Sequence, residues 1–225
     1  MHDCQWVIDY VDQRPDRDAI LARLPRVVAP ELLAQQGDDR LLSDLCRRVF
    51  RAGLKHSLVD AKWPAFEQAF HGFDPQRIVL MSDEQLEALM QNGALIRHWG
   101  KLKSVRHNAQ MVCELAMEHG SFARFIAAWP GAEIVGLWSV LKQQGAHLGG
   151  QSGAAFLRLI GKDTFRLSPD VVAALKAQQV VDRMPTSKRD LGLVQQAFNR
   201  WHDQSGLPLS HISHLLAHTV GTGQS

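Results

Sequence analysis

The stretch Leu148-Gly149-Gly150-Gln151-Ser152-Gly153-Ala154 stands directly before an apolar run, Ala155 to Ile160. Glycines let a turn adopt positive φ and approach a phosphate closely. The free amides of the helix start that follows favour an anion. Such a turn can grip a nucleic-acid backbone without reading its sequence; the same glycines also suit a tight packing turn between two helices. Upstream, Arg97, Lys101, Lys103 and Arg106 place four cations within ten residues. They read either as a local basic face for nucleic acid or as a solvated helix surface. Asp60 and Glu67 lie near Trp63, and Asp170 follows Ser168-Pro169. His211, His214 and His218 fall at i, i+3 and i+7 and so share one helix face. Imidazoles ligate metals, but no cysteine or acid accompanies them locally, and a polar helix face is the competing account. No P-loop, dinucleotide fingerprint or serine-nucleophile motif is present.

The elements that must carry these residues are helical. No segment sustains apolar/polar alternation, so strands are not expected. Leu41, Leu42, Leu45, Val49, Phe50 and Gly53-Leu54 mark an early buried helix. Ser82-Asp83-Glu84-Gln85 is a capping-box pattern opening a helix with Leu86, Leu89 and Met90. A long basic helix runs from about Gly100 through Val105, Val112 and Ala116, and His119-Gly120-Ser121 stops it. Ser168-Pro169-Asp170 reads as a helix start, with a cap, a first-turn proline and a carboxylate facing the dipole. Ser187 opens another helix through Val194, Phe198 and Trp201, and a last one spans roughly Ser210 to His218. Arg14 to Arg26 is charged and proline-punctuated and reads as an irregular arm. The tail from Gly221 is expected to fray. The fold class is all-α, with many short helices and tight turns.

At 225 residues, with 45% apolar and 21% charged residues, the composition is that of a globular protein. Apolar runs fall far short of the ~20 residues a membrane span requires, and the first residues lack the layout of a signal peptide. Cys4, Cys46 and Cys113 make no disulfide framework, which points to a reducing cytoplasm; Cys46 and Cys113 sit in apolar helical contexts and read as core. A net charge of +2 neither demands nor excludes nucleic acid, because binding needs a local face rather than a basic average.

Ala52-Gly53-Leu54, then Trp63, Phe66, Phe70, Phe73-Asp74-Pro75, the Ile96-Arg97-His98 region and His107-Asn108-Ala109 resemble the type I 3-methyladenine DNA glycosylases. Cys4-x-Trp6 continues the resemblance, and Gly149 to Phe165 resembles the family's helix-hairpin-helix element. The likeness covers most of 40–175 within a single unit of 1–225, with 176–225 as C-terminal helices of a divergent branch. It implies a helix-hairpin-helix glycosylase fold that binds damaged duplex DNA, flips the lesion into a pocket and hydrolyses the N-glycosidic bond of an alkylated purine such as 3-methyladenine. The alternative is a non-catalytic protein that recognises damaged or distorted duplex. The resemblance implies a base pocket around Trp6, Arg48, His56 and Trp63. It implies backbone contacts from Gly149, Gly150, Gln151, Ser152, Gly153, Arg97, Lys101 and Lys103. It also suggests Asp170 as the carboxylate that supports the sugar cation, although Ser168 sits nearer the expected position. Three departures accompany it. The family's base-recognising Glu falls on Arg48, which can donate but not accept. A pocket Trp falls on His56. Cys4 survives from the family's structural zinc site, but Asp170 and Ala174 occupy the C-terminal ligand positions, so no metal or other cofactor is expected. A cytoplasmic monomer is the expectation.

Overall fold

The computed structural model describes residues 2–220, and the tail from Gly221 lies outside them. The described residues form helices and turns without a strand. In chain order these are α1 (Cys4–Asp12), α2 (Arg17–Leu21), α3 (Pro30–Leu33), α4 (Asp38–Arg51), α5 (His56–Ala69), α6 (Pro75–Val79) and α7 (Asp83–Ala88). There follow α8 (Trp99–His119), α9 (Phe122–Ala128), α10 (Ile134–Gln144), α11 (Ser152–Leu159), α12 (Pro169–Ala177), α13 (Lys188–Ser205) and α14 (Leu209–Ala217). No helix among the described residues is long and apolar enough to cross a membrane.

The helix boundaries follow local chemistry. Ser82 accepts from the amide of Gln85 at 3.2 Å while Gln85 reaches back to the amide of Ser82 at 2.8 Å, completing the capping box of α7. Ser168 and Ser187 accept from Val171 and Asp190 to cap α12 and α13. Gly120, at φ 83°, ends α8 in the left-handed conformation that glycine tolerates. Three expectations need adjustment. The arm over 14–26 is not wholly irregular, because Ile20 is buried and anchors the short helix α2. The early helix stops at Arg51, ahead of Gly53 at φ 78°, and Leu54 is exposed. The apolar run expected from Ala155 begins as a helix three residues sooner, at Ser152.

The chain packs as two compact units. The first comprises residues 2–28, Pro130–Gly136 and 161–220. Here α1, α13 and α14 pack on one another and α12 packs on α14. Phe165 stacks on Phe198 with centroids 4.2 Å apart, and Trp201 meets Phe198 edge-on at 5.3 Å. The second unit comprises Ala29–Trp129 and Leu137–Ile160. Its long central helix α8 packs against α4, α6 and α9, and α4 also meets α5 and α11. Leu41, Leu45, Val49 and Phe50 turn one face of α4 inward while Arg40, Arg47 and Arg51 stay on the other. That division follows the 3.6-residue period. Each large side chain fully buried this way contributes roughly 1.5–3 kcal/mol.

Candidate nucleic-acid interface

In the second unit, α10 and α11 are joined by a tight hairpin over 145–151. His147 and Gly150 both have positive φ, 60° and 59°, and Gly150 is exposed with open space where a Cβ would stand. Gly149 accepts from the amide of Ser152 at 3.2 Å. The N-cap of α11 is Gln151, which gives no side-chain hydrogen bond to the first turn. α11 therefore opens without a side-chain cap in its first turn, beside an exposed glycine, and a helix start of this kind suits a phosphate. Gly153 is buried instead: a Cβ there would stand 3.2 Å from the Leu148 carbonyl oxygen, so it serves close packing. The loop is fastened from α8. Asn108, wholly buried, accepts from the Ala146 amide at 2.8 Å and donates to the Ala146 carbonyl at 3.3 Å. The neighbouring His107 donates from Nε2 to the Gln144 carbonyl at 2.9 Å.

The four cations near the start of α8 separate into two kinds. Arg97 and Lys103 are exposed, and the Lys103 ammonium lies 5.4 Å from the Trp99 ring centroid. Lys103 also lines a groove of 490 Å³ beside Gly100, His107 and Ala146. Lys101 does not belong to this face. It is 9% exposed, and its ammonium donates to the carbonyls of Ala52 at 2.7 Å and Phe50 at 3.3 Å. These carbonyls end α4 and attract a cation, which turns the side chain inward. Burial, with the nearby Arg48 charge adding to it, pushes the Lys101 ammonium below the usual lysine range. Arg106 is engaged with the Met81 carbonyl at 2.6 Å and ion-paired with Asp83.

Around the end of α4, Arg48 is half-buried and His56 is exposed as the first residue of α5. Trp63 is a core residue rather than a pocket wall. It is 5% exposed, stacks on Phe66 at 4.9 Å and Phe73 at 5.4 Å, and donates from Nε1 to Ser43 Oγ at 2.9 Å. Its indole gains more from apolar neighbours and a satisfied N–H than a solvent-facing position offers. The two carboxylates near it are committed. Asp60 pairs with Arg47 at 2.9 Å and Arg51 at 2.7 Å; burial pushes its carboxyl up, but the two guanidiniums outweigh that and hold it low. Glu67 accepts from Ser43 at 2.6 Å and pairs with Arg40. A carboxylate that spacing did not single out, Asp44, is half-buried on α4, and burial pushes it above the usual range despite three nearby arginines. Its only sequence signal is an acid inside the arginine-rich stretch of α4.

The remaining candidates lie in the first unit. Trp6 is half-buried on α1, stacked on His2 at 5.2 Å and tilted against Tyr10 at 6.0 Å. Asp170 is exposed in the first turn of α12, where Ser168 serves as the cap. The histidines of α14 have structural partners. Nε2 of His211 donates to the Pro25 carbonyl at 2.9 Å, and that of His214 to the Ile20 carbonyl at 3.0 Å. They fasten the arm to α14. A four-ligand zinc site does not fit the residues at hand. Ala174 carries no donor atom and sits in the core. Burial pushes the Cys4 thiol up, and it is hydrogen-bonded to Ser205. Among the described residues, no group of three or more His, Cys, Asp or Glu could hold a metal ion.

Residues 33–147 match the family described as Methyladenine glycosylase. A DNA-3-methyladenine glycosylase of Haemophilus influenzae is 34% identical over 129 residues, covering 55% of this chain and 61% of the relative. The chain thus spans less than two thirds of that relative's length. A crystal structure of 3-methyladenine DNA glycosylase I superposes with a TM-score of 0.51 at 26% identity, covering 67% of this chain and 90% of that one. A Methanocaldococcus jannaschii 8-oxoguanine glycosylase/lyase, solved with DNA containing 8-oxoguanine, has a TM-score of 0.52 at 15% identity and covers 95% of this chain; it shares the fold.

Proposed function

Because the chain belongs to the methyladenine glycosylase family, we propose that it is a DNA repair glycosylase hydrolysing the N-glycosidic bond of an alkylated purine, such as 3-methyladenine, in duplex DNA. The observation that carries this reading is the family match over 33–147, which holds Ala52-Gly53-Leu54, Phe73-Asp74-Pro75 and the start of α8. In this reading the hairpin of Gly149 to Ser152 holds the DNA backbone through backbone amides, and Arg97 and Lys103 add charge. His56 meets the extruded base by stacking and edge contacts. An N3-alkylated adenine is cationic, so its bond to the sugar is already labile. The protein then has to extrude the base, bind it and stabilise the sugar cation. No metal takes part, and a cytoplasmic monomer suffices.

Arg48 sets the substrate range. With Lys101 close enough to feel its charge, a cationic base meets repulsion there, and a base presenting acceptor atoms meets a donor. That observation also favours a second reading, in which the chain binds distorted duplex without releasing a base.

The deciding experiment is base release from methylated duplex DNA, with free 3-methyladenine and 7-methylguanine separated by chromatography. Release of 3-methyladenine is expected at a rate that rises when Arg48 is changed to Glu. No release of either base while duplex binding persists would overturn the catalytic reading in favour of the second.

A further inference from the structure

The buried amide of Asn108 has no place in the chemistry above, yet it is bound on every side. It accepts from the amide and donates to the carbonyl of one residue, Ala146, and the buried thiol of Cys46 is a third hydrogen-bond partner. One residue earlier, His107 donates to Gln144, the last residue of α10. A single turn of α8 therefore holds both the end of the first hairpin helix and the first residues of the turn. Beyond Ala146 the chain enters two positive-φ residues, His147 and Gly150, before α11 begins. Left to itself, such a turn samples many backbone states, and selecting one carries an entropic penalty. The same helix α8 carries Lys103 on the groove shared with Gly100, His107 and Ala146.

We propose that His107 and Asn108 are positioning residues for DNA: they clamp the hairpin in its phosphate-gripping shape and register it against Lys103. The proposal rests on the DNA-binding reading of the hairpin. Asn108 touches no nucleic acid in this arrangement and acts through the Ala146 peptide. Its amide can donate and accept at once and so engages both backbone groups of one residue. An aspartate of the same size keeps the acceptor, and regains a donor only when protonated. Burial raises its pKa, so the protonated form persists to higher pH than for an exposed carboxyl.

Two variants and two readouts test this. Asn108→Ala is expected to speed amide hydrogen exchange over 146–153 while leaving α13 and α14 unchanged. It should also weaken undamaged-duplex affinity about tenfold, the equivalent of one buried hydrogen-bond partner left unsatisfied. Asn108→Asp is expected to bind duplex like wild type at acid pH and progressively worse, relative to wild type, as pH rises; a role in core packing alone gives no such trend. Hairpin exchange equal to wild type, or duplex affinity lost in step with global melting, overturns the clamp. If the wild-type chain itself fails to bind duplex, the DNA reading falls instead, and the exchange measurement still decides whether the clamp exists.

Discussion

Lys101 and Lys103 are two positions apart and have opposite fates. One ends α4 by donating to the Phe50 and Ala52 carbonyls; the other stays in solvent beside Trp99. Lys101→Met should lower stability by about 1–2 kcal/mol, because two carbonyls lose a charged donor. A urea titration checks this, and the salt dependence of duplex binding should not change. Lys103→Ala should leave the urea midpoint alone and reduce the salt slope of duplex affinity by about one. Asp44 gives a pH signature. Burial raises its folded pKa above the unfolded value, so the folded chain binds more protons across that window. Stability therefore falls as pH rises through it, and the penalty persists at neutral pH. Asp44→Asn should raise the urea midpoint at neutral pH but not well below the carboxylate range. An equal gain at both would mean that the ionised carboxylate is not the source.

At the scale of elements, Gly150 is the position where backbone freedom bears on function. A β-branched residue at φ 59° is strained by roughly 1–2 kcal/mol. Gly150→Val should therefore weaken duplex binding several-fold while the helices, followed by circular dichroism, stay intact. Undiminished affinity would remove the hairpin from the interface. Element boundaries were largely legible in the sequence because caps are local: Ser82, Ser168, Ser187 and Gly120 each act on residues within a few positions. What spacing could not reveal depends on distant partners. Lys101 turns inward to meet α4, some fifty residues away, and Trp63 is claimed by Phe66, Phe73 and Ser43. His211 and His214 look like a metal face until the Pro25 and Ile20 carbonyls are placed opposite them. The short helix α2 depends in the same way on the burial of Ile20.

For the molecule as a whole, a net charge of +2 leaves little long-range pull toward DNA. Of the four cations near the start of α8, Lys101 and Arg106 are engaged inside the protein, which leaves Arg97 and Lys103. The logarithm of duplex affinity against that of salt should then fall with a slope of about −2. A slope near −5 would require cations beyond this face. The family match also ends at residue 147, so the grip after it, α11 and all of the first unit but Pro130–Gly136 lie outside the matched segment.

The two units also differ in when they can come into being. The second is nearly continuous, and its last residue is Ile160. The first joins residues 2–28 to segments beyond 160: His2 bonds to Gln178, Cys4 to Gln204, and Trp201 back to His2. On a translating ribosome the N-terminal helices therefore emerge first and find their partners last. Val7, Val11 and Ile20, all destined for burial, stay exposed until the C-terminal third of the chain is made, a wait during which a holdase chaperone has an apolar handle to grasp.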